Sequence, residues 1–140
     1  MLNEVIELLK DVPLFSHLKK KSLRSVAKTA KKRNFEAGEP ILREGEQKRV
    51  GFYLILEGQV EVKQGDSTLS KLGSGQFFGE MSALDGKPRS ADVITTTDTE
   101  CLVITNWDIK SLINTDPDVA MGIIEELTRR LRETNMALTK

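Results

Sequence analysis

From Arg33 onward the chain runs in short stretches of alternating or apolar β-forming residues, interrupted by glycine at Gly38, Gly45, Gly58, Gly65, Gly73 and Gly75. Each stretch has the length of a strand, and the punctuation is regular. The pattern places strands near Arg33–Glu36, Ile41–Arg43, Phe52–Glu57, Gln59–Gln64, Thr68–Leu72, Ala91–Thr95 and Glu100–Thr105. Gly65 and Asp66 form a hairpin signal between the fourth and fifth of these. Several short strands with turn residues between them build a sandwich or a jelly roll. Gly45, in LREGE, and Gly58, in LILEGQV, read as architectural glycines. Phe52, Leu54, Leu56, Val60, Val62, Leu69 and Leu72 read as core, with Ile41, Leu72 and Val93 as candidates to pack against a ligand.

Helices flank this β region. Leu2–Lys10 carries Val5, Ile6, Leu8 and Leu9 on one side, with Asn3 as cap, and Pro13 interrupts it before a tight turn in which Phe15 points inward. A second helix, Lys20–Lys32, gathers Leu23, Val26, Ala27 and Ala30 on its apolar face. Beyond the strands, Asn106 is placed to cap a short helix, Trp107–Ile113. Asp116 and Pro117 then give a capping carboxylate followed by proline at the first helical position, which starts a helix running to Leu138. In its first half Val119, Ala120, Ile123, Ile124 and Leu127 make a broad stripe suited to lying on the β region. Further on the stripe narrows to Ala120, Ile124, Leu127, Leu131, Thr134 and Leu138, spaced alternately four and three apart, the spacing of a coiled-coil seam. The expectation is a parallel homodimer through this helix.

With 140 residues the chain is expected to form one domain, with N-terminal helices over 1–32, β strands over 33–105 and C-terminal helices over 106–140. Its 21 basic and 21 acidic residues balance. Nucleic-acid binding would need a basic face, and the candidate run Lys19, Lys20, Lys21, Arg24, Lys28, Lys31, Lys32, Arg33 has the spacing of a helix's solvated side, so no nucleic-acid partner is expected. No apolar run approaches the roughly 20 residues that span a bilayer, and MLNEVIELLKD is no secretory signal, so the expected setting is cytoplasmic, without a membrane partner. Cys101 is the one cysteine and reads as a reduced core residue. His17 is the one histidine, and a lone histidine supplies neither a metal site nor a nucleophile–base pair with an acid to orient it. The expectation is therefore a protein that is not an enzyme and holds no metal and no cofactor.

The chemistry-bearing stretch is Phe77–Val93, FFGEMSALDGKPRSADV. It sets a carboxylate, Glu80, nine positions before a guanidinium, Arg89, with Gly79 and Gly86 and Pro88 between or beside them. Glycine before a helical turn lets an anion approach unpaired amides that carry partial positive charge. The planar fork of Arg89 suits two phosphate oxygens, whereas ionised Glu80 can only accept, as from a sugar hydroxyl. Together they describe a sugar phosphate.

This ordered set resembles the phosphate-binding cassette of the cyclic nucleotide-binding domain family. The resemblance selects the jelly roll, a double-stranded β-helix with N-terminal helices and a long C-terminal helix, and puts the cassette at 78–91. It implies that Glu80 accepts the ribose 2′-hydroxyl and that Arg89 grips the exocyclic phosphate oxygens. The amides of Gly79, Ser90 and Ala91 complete the cradle, with Phe78, Met81 and Ser82 also at the ligand. The terminal stretch NTDPDVAMGIIEELTRRLRETN is similar to the dimerisation helix of the bacterial catabolite activator family, which implies that Thr134 and Asn135 reach the purine while Arg130 and Arg132 are solvated. With the sequence ending at Lys140, no residues remain for the helix-turn-helix module of that branch. The expected function is a stand-alone sensor of cyclic AMP (cAMP), less readily cyclic GMP, acting on an unidentified effector protein in trans. The rivals are a family member kept as an interaction or dimerisation module without nucleotide, and a metal-dependent jelly-roll enzyme.

Overall fold

The computed structural model describes residues 2–12, 15, 18–45, 51–79 and 90–138. Two helices lead, α1 (Leu2–Lys10) and α2 (Lys20–Thr29). Strands β1 (Lys31–Phe35), β2 (Pro40–Leu42), β3 (Phe52–Glu57), β4 (Val60–Gln64), β5 (Ser67–Leu72), β6 (Phe77–Phe78), β7 (Asp92–Thr95) and β8 (Thr99–Ile104) follow, and α3 (Asn106–Thr115) and α4 (Pro117–Leu138) close the chain. The strands form two antiparallel four-stranded sheets, ordered β1-β8-β3-β6 and β2-β7-β4-β5. This is the jelly roll with flanking helices that the sequence leads one to expect.

Side chains of a strand alternate between faces, and here both faces of the first sheet are covered. On one face Phe52, Leu54, Leu102, Ile104 and Phe77 meet Ile6, Leu9, Leu23, Val26, Ile109, Val119 and Ile123 of the four helices. On the other, Tyr53, Ile55, Cys101, Val103 and Phe78 meet Leu42, Val60 and Val93 across the roll. The runs FYLI and CLVI are apolar without interruption because each residue has a buried face to fill. Each such side chain contributes about 1.5–3 kcal/mol on burial. Within the roll, burial pushes the Cys101 thiol up to about 12, which leaves it protonated and unreactive at neutral pH.

Several boundaries differ from the sequence expectation. Helix α2 stops at Thr29, and Lys31, Lys32 and Arg33 enter β1, paired to Val103, Leu102 and Cys101 of β8. Thr29 donates its hydroxyl back to the Val26 carbonyl and Ala30 is already extended, while the lysines that follow suit a helix end or an edge strand equally. The whole basic run is exposed, as expected of a solvated face, but only its first part is helical. The cap of α3 is Thr105, whose Oγ1 accepts from the Asp108 amide; Asn106 is buried inside the helix. Ile124 is 53% exposed and Leu69 56%, so neither belongs to the core. Phe15 is buried as expected, whereas Pro13 and His17 lie outside the described residues.

The hairpin between β4 and β5 has Gly65 at φ 60° as the first of its two turn residues. Gly45 has φ 84° with open space around its Cα, so it serves backbone geometry alone. Gly58 combines φ 106° with close approach: an added Cβ would lie 2.6 Å from the Asp98 carbonyl and 2.7 Å from Thr99 Cα. We expect Gly58→Ala to destabilise by at least about 1–3 kcal/mol, since strain and a backbone clash act together. Urea unfolding should show a lower midpoint at unchanged slope, with Gly45→Ala affected less.

Candidate functional site

Strand β6 carries the site. Its register on β3 pairs Phe78 with Tyr53 and Phe77 with Leu54, and the turn before it is tied down at both ends. The Gly75 amide donates to the Ile55 carbonyl at 2.8 Å, the Ile55 amide to the Gln76 carbonyl at 2.9 Å, and the Gly73 amide to Gln76 Oε1 at 2.9 Å. Two aromatic stacks hold the pair: Phe77 on Phe52 with centroids 4.7 Å apart, and Phe78 on Tyr53 at 5.0 Å. Phe77 thereby fills the helix layer, and Phe78 faces the roll. Gly79 follows at φ 84°, a conformation that strains any side chain.

Past Phe78 opens a cavity of about 600 Å³ between the second sheet and α4. Phe78, Gly79, Ser90 and Ala91 line one part of it, so the structure brings together the cassette residues on both sides of the segment 80–89. Glu80, Met81, Ser82 and Arg89 lie outside the described residues. Gln64 donates from Nε2 to the Ser90 carbonyl at 3.0 Å, and Asp92 accepts from the Glu44 amide at 2.7 Å, which fixes the entry to β7. The apolar wall is Leu42, Val62, Leu69, Leu72 and Val93. Leu72 and Val93 line the cavity, but Ile41 does not; its neighbour Leu42 takes that place, beside the break in the register of β2 on β7. Leu69 belongs to the wall rather than to the core, while Val62 lines the cavity and also packs against the core of the roll.

Helix α4 supplies the remaining side, through Arg129, Arg130, Glu133, Thr134 and Ala137. Thr134 Oγ1 donates to the Arg130 carbonyl at 3.0 Å, leaving its lone pairs for a donor in the cavity. Asn135 is exposed and does not line the cavity; at about 100° per residue it faces away from Thr134's side of the helix.

Arg130 departs from expectation. Its side chain is only 23% exposed: Nη2 donates to the Phe77 carbonyl at 2.7 Å, Nε donates to Glu126 at 3.0 Å, and Cζ lies 4.1 Å from the Phe77 ring centroid. Arg132 is exposed, as expected. The signal was available, since Arg130 lies seven residues after Ile123 and eleven after Val119, in phase with the buried stripe. A charged hydrogen bond contributes about 1.5–3 kcal/mol and a cation–π contact about 0.5–2. Arg129 bonds Glu126 and Glu133 at the edge of the cavity, and its exposed pair with Glu133 contributes about 0–1 kcal/mol.

Hydrogen bonding from Arg129, aided by Arg130, holds the Glu126 carboxyl below the usual carboxylate range. A depressed native value makes the ionised group stabilising above its unfolded value near 4.5, a contribution lost as the pH falls through the native value. We expect a carbon-13 titration of Glu126 to have its midpoint below 4.5, and Arg129→Gln to move it back toward the ordinary value.

Among the described residues no group of three or more His, Cys, Asp or Glu side chains could hold a metal ion, and no helix is long and apolar enough to cross a membrane.

The family model for the cyclic nucleotide-binding domain matches residues 32–116, more than half of the chain. The cyclic AMP receptor protein of Thermus thermophilus is 34% identical over 135 residues, covering 93% of this chain and 62% of the relative. A cyclic nucleotide-gated potassium channel of Rhizobium etli is 36% identical over 119 residues, covering 84% of this chain and 32% of the relative. The chain thus spans less than two thirds of the length of either. Among solved structures, a cyclic nucleotide-binding domain from Methylobacillus flagellatus superposes with a TM-score of 0.81 at 26% identity, covering 99% of this chain and 82% of that one.

Proposed function

Because the chain belongs to the cyclic nucleotide-binding domain family, we propose that it is a sensor that binds cyclic AMP, and cyclic GMP more weakly, in the cavity beneath α4. The observation that carries this reading is the two-ended lining. Gly79, Ser90 and Ala91 border the segment that holds Glu80 and Arg89, while Thr134 stands on the helix side of the same cavity. The volume suits a small-molecule ligand, for which pockets run about 300–1,000 Å³. Glu80 accepts the ribose hydroxyl, Arg89 grips the phosphate, and the amides of Gly79, Ser90 and Ala91 surround it, with Phe78, Met81 and Ser82 at the ligand's edge. Thr134, whose proton goes to Arg130, accepts from an exocyclic amine, which adenine presents at its 6-position and guanine does not. The domain spans 1–140, works in the cytoplasm without metal or cofactor, and is regulatory rather than catalytic. A partner protein reads the position of α4.

Calorimetric titration of refolded, ligand-stripped protein tests this. One cyclic AMP per chain is expected, bound tighter than cyclic GMP. Arg89→Ala should weaken binding by about 1.5–3 kcal/mol for each charged hydrogen bond lost, roughly tenfold or more. Thr134→Val should cost about 0.5–1.5 kcal/mol for cyclic AMP and leave cyclic GMP binding unchanged. Flat titrations of the parent protein with both nucleotides would sink the sensor and move the function to protein interaction.

The outer face of α4 supports the homodimer. Of the seam read from the sequence, Leu127 packs on the helix-layer core and Thr134 lines the cavity, but Ile124, Leu131 and Leu138 recur every seven residues and are 53%, 60% and 78% exposed, with Met121, Thr128 and Asn135 beside them at coiled-coil spacing. A second copy covers this stripe, and Asn135 then reaches the purine from across the seam. Sedimentation should show a dimer that Leu131→Glu converts to a folded monomer.

A further inference from the structure

The charge of the chain balances as a whole but not along its length. Residues 19–33 hold eight of the 21 basic side chains and none of the 21 acidic ones, so the rest of the molecule is net acidic by the same amount. In α2 Lys21, Arg24 and Lys28 lie three and four apart, which sets them on one exposed row, and past Thr29 and Ala30 the cations resume in β1. Strand β1 is an edge, with β8 as its single neighbour in the sheet. Lys31 and Arg33 stand opposite Val103 and Cys101, on the roll side, whereas Lys32 stands opposite Leu102, on the helix side. Both borders of the edge are therefore cationic, and Lys31 to Asn34 are all exposed. Among the described residues Lys32 alone of the eight has a carboxylate partner, Glu4 at 2.9 Å, and that pair is itself open to solvent.

The main chain of this edge is open as well. No hydrogen bond among the described residues reaches the backbone of Lys31–Phe35 from outside β8. An antiparallel strand turns every second residue's amide and carbonyl away from its neighbour, so the edge presents a row of donors and acceptors. A second copy of β1 pairing here would set like charges directly opposite one another. A phosphate chain or an anionic bilayer would meet the cations, but neither carries a main chain that alternates donor and acceptor.

We propose that the outer edge of β1 is a docking site for an extended acidic segment of a partner protein, which adds to the sheet as a further strand beside β1. Because cations flank the edge on both faces, the segment that fits carries Asp or Glu at successive positions rather than at alternate ones. Main-chain pairing supplies affinity and register, and the row on α2 draws the segment in. The lysines that keep the edge from pairing with its own kind thus select a partner of opposite charge. None of these residues lines the cavity, so the docking site does not depend on the nucleotide reading.

The test is a titration of nitrogen-15-labelled protein with a decapeptide of glutamate, read from amide shifts and amide hydrogen exchange. Saturable shifts and slowed exchange are expected over Lys31–Phe35, weakening as salt is added. A decapeptide N-methylated at every second residue keeps every charge but loses donors, and should bind at least about fivefold more weakly. Lys31→Glu combined with Arg33→Glu should weaken binding of the unmodified peptide at least about tenfold while β3 amides keep the parent exchange rates. If that variant does not fold, Arg24→Glu combined with Lys28→Glu replaces it: slower association supports the proposal, and parent kinetics overturn it. Absence of binding, shifts confined to other elements, or equal affinity for the N-methylated peptide overturns it. Tighter capture of a ten-nucleotide oligothymidylate, or of phosphatidylglycerol vesicles, assigns the surface to nucleic acid or membrane and overturns it too. So does protection of the β1 amides that grows with protein concentration in the absence of peptide, since that assigns the edge to a second copy.

Discussion

Strand β6 is two residues long, and the alternation of strand side chains sends Phe77 into the helix layer and Phe78 into the roll. A slip of one residue in its pairing with β3 would exchange the two rings and carry Gly79 out of place. Register here is held by the Gln76 turn and by the two aromatic stacks rather than by ladder length, because a two-residue strand has almost no ladder. The placement of the cavity wall, the entry to the segment 80–89 and the anchorage of α4 all follow from that register. Each contact checks the others. Arg130 can reach the Phe77 carbonyl and ring only if Phe77 is turned toward the helix layer, and Phe78 lines the cavity only under the same condition.

Helix α4 divides its surface in a way that a helix of about 3.6 residues per turn requires. Val119, Ile123, Leu127, Arg130, Thr134 and Ala137 fall on one side, and Met121, Ile124, Thr128, Leu131, Asn135 and Leu138 on the other. The first side begins on the core and ends on the cavity. The second faces outward along its full length. One continuous element therefore carries a core contact, one wall of the cavity and an exposed apolar stripe, and motion at the cavity end necessarily moves the outer stripe.

Much of this was legible in the sequence, for identifiable reasons. The apolar runs of β3 and β8 are unambiguous because both their faces are buried, and Asp116–Pro117 marks the start of α4 because a capping carboxylate and a fixed φ coincide there. Where two readings cost the same, the sequence was silent. Lys31 and Lys32 extend a helix as easily as they protect an edge strand, and Thr105 and Asn106 are both good caps, so only the bond from the Asp108 amide decides between them. Phe77 and Phe78 are too few to show a period. Arg129, Arg130 and Arg132 look alike as solvated charge until the buried phase of α4 is carried one turn past Leu127. Of the cassette stretch, Gly79, Ser90 and Ala91 meet at the cavity, whereas the share of the cavity wall on α4 depended on helix phase, and there Thr134 and Asn135 parted company.

The distal turns of α4 are held differently from the rest of the helix. Burial of apolar surface holds the helix down as far as Leu127, and Arg130 adds a polar tie, but from Leu131 on no buried side chain opposes the entropy of fraying. Thr134 and Ala137 face a cavity whose other wall is apolar. A base in that cavity would give those turns a surface to lie on, while an empty cavity gives them none. A ligand shifts such an equilibrium only by its differential affinity for the two arrangements, and couplings of about 1–3 kcal/mol are typical. A helix end held by little more than one guanidinium lies within reach of such a coupling; one packed on the core like Val119 and Ile123 would not. Weakly held distal turns are thus the part of the helix on which a ligand of modest size would act.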